Sequence, residues 1–232
     1  MTSLFNALAD NLWDISHPLV IGPVVLDHRM SVVRLSSGAL WVHSPVRLDQ
    51  GIRAALDQLG EVAYLVAPSI FHDLYWEEWF AAYPEARFFA APGVRQQHPE
   101  LPFTDELADE TPAAWRDDLQ QLVLGGVPRL NETVFLHRPS RTLIVADLVF
   151  NFTGYEPRLN LATALTLKVA GTYGRLGVSR FFRMLVKDPK ALRHSLDQLL
   201  SWDFERLVVG HGRNVERHAR PVLEQACRFL KA

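Results

Sequence analysis

Residues 207–212 read Leu-Val-Val-Gly-His-Gly, an apolar run that ends in a histidine between two glycines. The run predicts a short buried strand, and the glycines permit a tight loop whose backbone can approach a ligand. Upstream, Arg141–Phe152 carries a single acidic residue, Asp147, within a stretch that reads as a strand over Thr142–Phe150. A carboxylate deep in a strand is costly unless it is paired or bound to a cation. Asp147 and His211 are therefore the first candidates for a functional site. The plain alternatives are an aspartate that caps a turn or pairs with Arg141, and a turn histidine with a hydrogen-bonded ring.

The rest of the chain bounds the setting. With 232 residues, 48% of them hydrophobic, it can bury one sizeable core. A formal charge of −2 leaves no nucleic-acid footprint. No apolar run reaches the roughly 18 residues of a membrane span. The start, Met1-Thr2-Ser3-Leu4-Phe5, lacks the basic and apolar regions of a signal peptide. The single cysteine, Cys227, cannot form an intramolecular disulfide and reads as a small packed hydrophobe. These features place the protein in the cytoplasm as an expectation.

Residues 11–47 read as strands, with Ser31–Leu35 and Ala39–His43 flanking a hairpin turn at Ser36-Ser37-Gly38. Asp49 caps a helix carrying Ile52, Ala55, Leu56 and Leu59 on one face, and Gly60 stops it. Val62–Val66 is a buried-type strand, Leu74–Ala82 a helix and Arg87–Ala90 a strand. Residues 91–117 read as a helix plus a surface loop. Leu119–Leu124 and Glu132–His137 read as strands, Pro189–Leu200 as a helix, Arg206–Val209 as the last strand and Arg217–Leu230 as the last helix. Strands first, then strands alternating with helices, then hairpin strands and a final strand and helix, fit two packed sheets with helices outside. No linker interrupts residues 1–232, so one domain is expected, with a helical basic insert at about 155–187.

The Asp147 segment and Gly210-His211-Gly212 resemble the last two metal-ligand positions of the metallo-β-lactamase fold. That fold is a four-layer αβ/βα sandwich with a two-metal site at one edge. Its first motif, His-x-His-x-Asp-His, should follow Val62–Val66. The residues there are Pro68-Ser69-Ile70-Phe71-His72-Asp73: the leading histidines are replaced, and the closing pair stands inverted. The middle histidine should fall near Gly125-Gly126-Val127-Pro128, and His137 is the nearest in sequence. Ser44-Pro45 stands where hydrolytic members carry Asp before Gly. Arg29–Leu35, Leu40–Pro45, Ala67–His72 and Ala146–Phe152 further resemble DUF4336, an uncharacterised branch of that fold. The resemblance implies the fold and leaves the reaction open.

By this resemblance, the donors of one metal position are gone. For the other the chain offers His72, Asp73, Asp147 and His211, a set suited to one divalent ion such as zinc, manganese or iron. His72 and Asp73 also have a plain reading as caps of the helix that follows. Trp76 and His43 are candidate pocket residues; the plain readings are a core tryptophan and a strand histidine facing solvent or a small polar network. His28, His98, His137, His194 and His218 read as surface residues. No Gly-x-Ser-x-Gly elbow occurs.

Two functions follow. The first is a metal-dependent hydrolase with a reduced, at most mononuclear site, acting on a small molecule. The second is a non-catalytic relative, without metal, that uses the same cleft for a ligand or partner. The insert carries Arg158, Lys168, Arg175, Arg180, Arg183 and Lys187 against one acid, Glu156. It is expected to cover the cleft or form a homo-oligomer contact, bury its Leu and Phe residues, and favour an anionic substrate.

Overall fold

The computed structural model describes residues 4–72, 74–155 and 159–230. Asp73, Glu156 and Arg158 lie outside the described residues. Seven strands form the first sheet in chain order: β1 (Asn6–Ala9), β2 (Leu12–Ile21), β3 (Val24–Arg34), β4 (Leu40–His43), β5 (Val62–Ala67), β6 (Arg87–Ala90) and β7 (Asp105–Glu106). Pairing is antiparallel from β1 to β4 and parallel from β4 to β7. Parallel neighbours need crossovers. Between β4 and β5 runs α1 (Gln50–Leu59), and between β5 and β6 runs α2 (Trp76–Ala82). The short α3 (Val94–Gln97) lies between β6 and β7.

The second sheet contains β8 (Leu119–Val123), β9 (Thr133–His137) and β10 (Thr142–Ile144). A two-stranded ribbon follows, made of β11 (Phe150–Asn151) and β12 (Leu176–Gly177). Between and after these strands lie α4 (Leu161–Ala170), α5 (Arg180–Leu185) and α6 (Pro189–Ser201). The last strand, β13 (Arg206–Val208), adds parallel to β10, giving the order β13-β10-β9-β8. The chain ends in α7 (Ala219–Ala226) and a tight helical turn, Cys227–Leu230.

Strand alternation sorts the apolar residues into three separate cores, which is what four layers require. On β4, Leu40 and Val42 face α1 and α2, with Ile52, Leu56, Trp79 and Phe80. Trp41 points the other way, into a core between the sheets with Val66, Phe89, Phe135, Ile144 and Val208. Leu143, Val145, Leu207 and Val209 face Leu192, Leu196, Leu199 and Leu223 of α6 and α7. The fold is thus an αβ/βα sandwich. Helix starts follow local chemistry: the Asp49 carboxylate accepts from Ile52 N at 2.8 Å, and Asp188 caps α6 ahead of Pro189. Among the described residues no helix is long and apolar enough to cross a membrane.

Three expectations need correction. The strand expected over Thr142–Phe150 ends at Ile144, so Asp147 sits in the loop beyond it. The last helix begins at Ala219, because His218 adopts a left-handed backbone (φ 56°) that an α-helix cannot contain. His28 and His137 are buried, as is His43, which faces neither solvent nor a polar network. His43 packs in the inter-sheet core between Trp41 and Phe135.

His137 illustrates what burial costs. Its Nδ1 meets Ser140 Oγ at 2.7 Å, and burial, opposed by the Asp118 charge, pushes the ring from 6.5 down to about 4. Below 6.5 the unfolded chain takes up a proton that the folded ring refuses, so stability falls as pH drops toward about 4 and this contribution then levels off. We expect His137→Gln to reduce the acid sensitivity by on the order of 2 kcal/mol over that window. Urea unfolding at neutral and mildly acidic pH measures it.

Candidate metal centre

Three loops meet at one edge of the sandwich. They follow β5, β10 and β13, and they carry His72, Asp147 and His211. His72 Nε2 lies 3.5 Å from Asp147 Oδ2, and His211 Nε2 lies 3.4 Å from Asp147 Oδ1. One donor atom from each residue lies within 4.8 Å of the other two, so the trio can hold a metal ion. Both histidines are buried, and Asp147 keeps 13% of its side chain exposed, enough to reach a cavity.

The far nitrogen of each ring is already engaged. His211 Nδ1 donates to the Asp27 carbonyl, an acceptor only, which leaves Nε2 facing Asp147. His72 Nδ1 meets Ser44 Oγ, while its Nε2 is buried without a hydrogen-bond partner. Rings tied at Nδ1 and free at Nε2 are how histidines are held for metal coordination. Burial alone would raise the Asp147 carboxyl; His72 and His211 together hold it well below the usual carboxylate range. Ser69 Oγ donates to Asp147 Oδ2 at 3.2 Å.

Each loop is pinned by a side chain. Glu132 is fully buried, and its two oxygens accept from Ala146 N at 2.7 Å and Asp147 N at 3.0 Å. A carboxylate thus replaces the strand ladder, which explains why β10 stops early. Burial and then the Asp147 charge push Glu132 up to about 8. The His211 loop is held by Arg29 of β3. Arg29 Nε donates to Val209 O at 2.8 Å, its backbone N to Gly210 O at 3.0 Å, and its Nη2 to Gly212 O. Arg29 Nη1 pairs with Asp14, which also accepts from Asn214 Nδ2 at 2.7 Å. Both glycines are required. A Cβ on Gly210 would meet Ala146 O at 2.6 Å, and Gly212 has φ +94° with Asn151 O at 2.0 Å from an added Cβ.

His28 lies against the trio. Its ring stacks on His72 at 5.0 Å, and its Nε2 donates to Pro45 O at 3.1 Å. Burial first, then His72 and His211, lower it to about 3, so it stays neutral. The Ser44-Pro45 departure is therefore part of the site: one residue touches His72 and the other fixes His28. Sequence reading missed His28 and Glu132. The Pro45 and backbone partners that reveal them lie far away in sequence.

The other sequence candidates separate. Asp73 lies outside the described residues. Trp76 is buried in the outer core against Phe80 and Phe103, with Nε1 donating to His72 O at 3.3 Å. It supports the His72 turn from behind and does not line the cavity beside the trio. His43 is walled off in the inter-sheet core, as described above. His72 does not cap α2, whose N-cap is Tyr75 with no side-chain cap bond. Arg141 pairs with Asp203, not with Asp147.

The trio forms the polar end of a cavity of about 570 Å³ whose other walls are apolar. Its lining includes Phe181, Phe182 and Leu185 of α5, within the 155–187 segment. The segment's apolar residues divide: Leu167 and Phe182 are buried, whereas Leu161, Leu165, Val169, Phe181 and Met184 are exposed. Lys168, Arg175, Arg180, Arg183 and Lys187 are exposed and none lines the cavity.

This architecture is that of the metallo-β-lactamase fold. A metallo-β-lactamase from Pontibacter korlensis superposes with a TM-score of 0.66 at 12% identity, covering 98% of each chain. The metallo-β-lactamase FIM-1 from Pseudomonas aeruginosa, in its mono-zinc form, gives 0.66 at 11% identity over 98% of this chain and 94% of its own. The metal-soaked Flv1 flavodiiron core from Synechocystis sp. PCC6803 gives 0.67 at 9% identity, over 98% of this chain and 60% of its own. At such identities the likeness establishes the fold alone. Residues 9–173 match the model of DUF4336, a domain of unknown function, and the chain belongs to that family. The match includes His72 and Asp147 and ends before His211. No curated protein sequence matches the chain.

Arg29 ties two halves of the fold to the His211 loop. We expect Arg29→Met to cost about 3–5 kcal/mol, since it strands the buried Asp14 carboxylate. Adding Asp14→Asn should recover part of that loss, because the uncompensated charge goes. Urea denaturation of both variants measures the difference.

Proposed function

We propose that the protein is a metal-dependent hydrolase with a mononuclear site formed by His72, Asp147 and His211. The observation that supports it best is the His72 Nε2 atom, buried, without a hydrogen-bond partner and facing Asp147. A buried polar atom of that kind is costly unless something binds it. Two imidazoles and a carboxylate suit zinc, manganese or iron. A divalent ion there would supply a Lewis acid for polarising a carbonyl or phosphoryl oxygen and acidifying water.

The chain's own residues prepare the site. Asp147 stays ionised and is aimed by Glu132 through the backbone and by Ser69 through its hydroxyl. Asp27 and Ser44 orient the two imidazoles. His28, neutral, walls one side of His72, and Phe150 packs on His211 at a ring distance of 4.9 Å. The walls around the trio are apolar, and apolar surroundings strengthen electrostatic interactions.

A mononuclear site accords with what stands in place of the other ligands. Pro68 and Ile70 offer no side-chain donors, and Ile70 is buried in the outer core. Protein purified without chelator should carry close to one equivalent of transition metal per chain by elemental analysis. Asp147→Asn and His211→Ala should each lower metal affinity at least tenfold and abolish cleavage of activated esters or phosphodiesters. Retention of full metal content by both variants would place the metal elsewhere and sink the assignment.

A further inference from the structure

The walls of the cavity say what kind of molecule fits it. Its apolar lining includes Leu19, Leu26, Leu130, Phe150, Phe182 and Leu185. At the mouth, Val20, Ile21, Phe71 and Phe181 are all exposed, and Phe71 packs on Phe181 at a ring distance of 5.6 Å. The apolar lining therefore runs unbroken in kind from solvent to His72, Asp147 and His211. Among the lining residues, polar side chains come only from His28, the trio and Ser179. The Ser179 hydroxyl is occupied, accepting from Phe182 N at 3.0 Å as the cap of α5.

A site for a compact anionic or sugar-like molecule would place several donors around it. This one has polar groups at one end and hydrocarbon along the rest, and the cations of the neighbouring segment stay outside. We propose that the cavity takes an amphiphile with an unbranched acyl or alkyl chain. The chain lies against Leu19, Leu26, Leu130 and Phe182, and its polar end meets His72, Asp147 and His211. At about 570 Å³ the space falls within the range of small-molecule sites, roughly 300–1,000 Å³. The substrate class rests on the hydrolase reading; the binding of the chain does not.

Binding of cis-parinaric acid, followed by its fluorescence, tests the chain site without any reaction. Wild-type protein should bind it. Leu26→Gln should weaken binding about tenfold, and the exposed pair Val20→Ser, Phe181→Ser should weaken it without threatening the fold. Failure of the wild type to bind, or binding indifferent to both sets of substitutions, overturns the proposal. In parallel, metal-loaded protein is assayed on p-nitrophenyl acetate, butyrate, hexanoate and octanoate. Each added pair of methylenes should raise kcat/KM about tenfold until the cavity is full. Ester cleavage that ignores chain length would leave the hydrolase reading standing and remove this one. Parinarate binding by a protein that cleaves no ester would do the reverse. Vesicles of phosphatidylglycerol separate the sources of the chain: co-sedimentation that depends on Val20 and Phe181 assigns a bilayer lipid, and response to the free acid alone assigns a monomeric amphiphile.

Discussion

Arg29 holds this fold to its site. A guanidinium carries five donors in a fixed plane, and here they are spent on Asp14 of β2, the Val209 carbonyl and the Gly212 carbonyl. Asp14 is 1% exposed and Arg29 is 7% exposed, so neither charge can turn to water. Val209 and Gly212 bracket His211, so the first sheet fixes the loop that leaves the second sheet. The inter-sheet core sets how far apart the layers sit, but apolar packing is non-directional. The Arg29 bonds are directional, and they make a sandwich of two sheets into a defined place for one imidazole.

The same division explains what could be read in the sequence. Hydrophobic period and caps are local, so α1 with Asp49 and Gly60, the strand at Val62 and the strand at Arg206 were legible with small errors at their ends, while the strand at Thr142 was legible at its start and overrun by six residues at its end. His211 stood out at the end of an apolar run, Asp147 as the single acid within one, and His72 through the family resemblance. Their supports did not stand out. Glu132 looks like any acid before a strand, yet it replaces ladder bonds for Ala146 and Asp147. His28 sits in β3 opposite His17 in register, and nothing local separates the buried ring from its exposed-strand neighbours. Residues whose roles depend on a distant backbone carbonyl have no pattern to read.

His43 and Trp76 show the opposite error. Both lie close in sequence to site residues, and strand parity decided against His43. On β4 it shares a face with Trp41, which belongs to the inter-sheet core, while the cavity is lined by other residues. Trp76 sits one turn past His72, and its indole reaches back to the His72 carbonyl. Proximity along the chain located the right loop and the wrong side of it.

Pro68 and Ile70, in the loop after β5, serve the structure. Pro68 O accepts from Thr133 N at 2.8 Å and Ile70 N donates to Leu130 O at 3.0 Å, so the loop after β5 is stitched to the segment that enters β9. Ile70 also fills space beside Gly93, where an added Cβ would lie 3.2 Å from its Cδ1. This loop therefore delivers His72 from a rigid hydrophobic turn, not from a string of polar ligands. The cavity beside it has a single polar cluster with hydrocarbon on its remaining sides. A carboxylate kept ionised in such surroundings interacts strongly with any cation that reaches it, because little solvent is available to screen the charge.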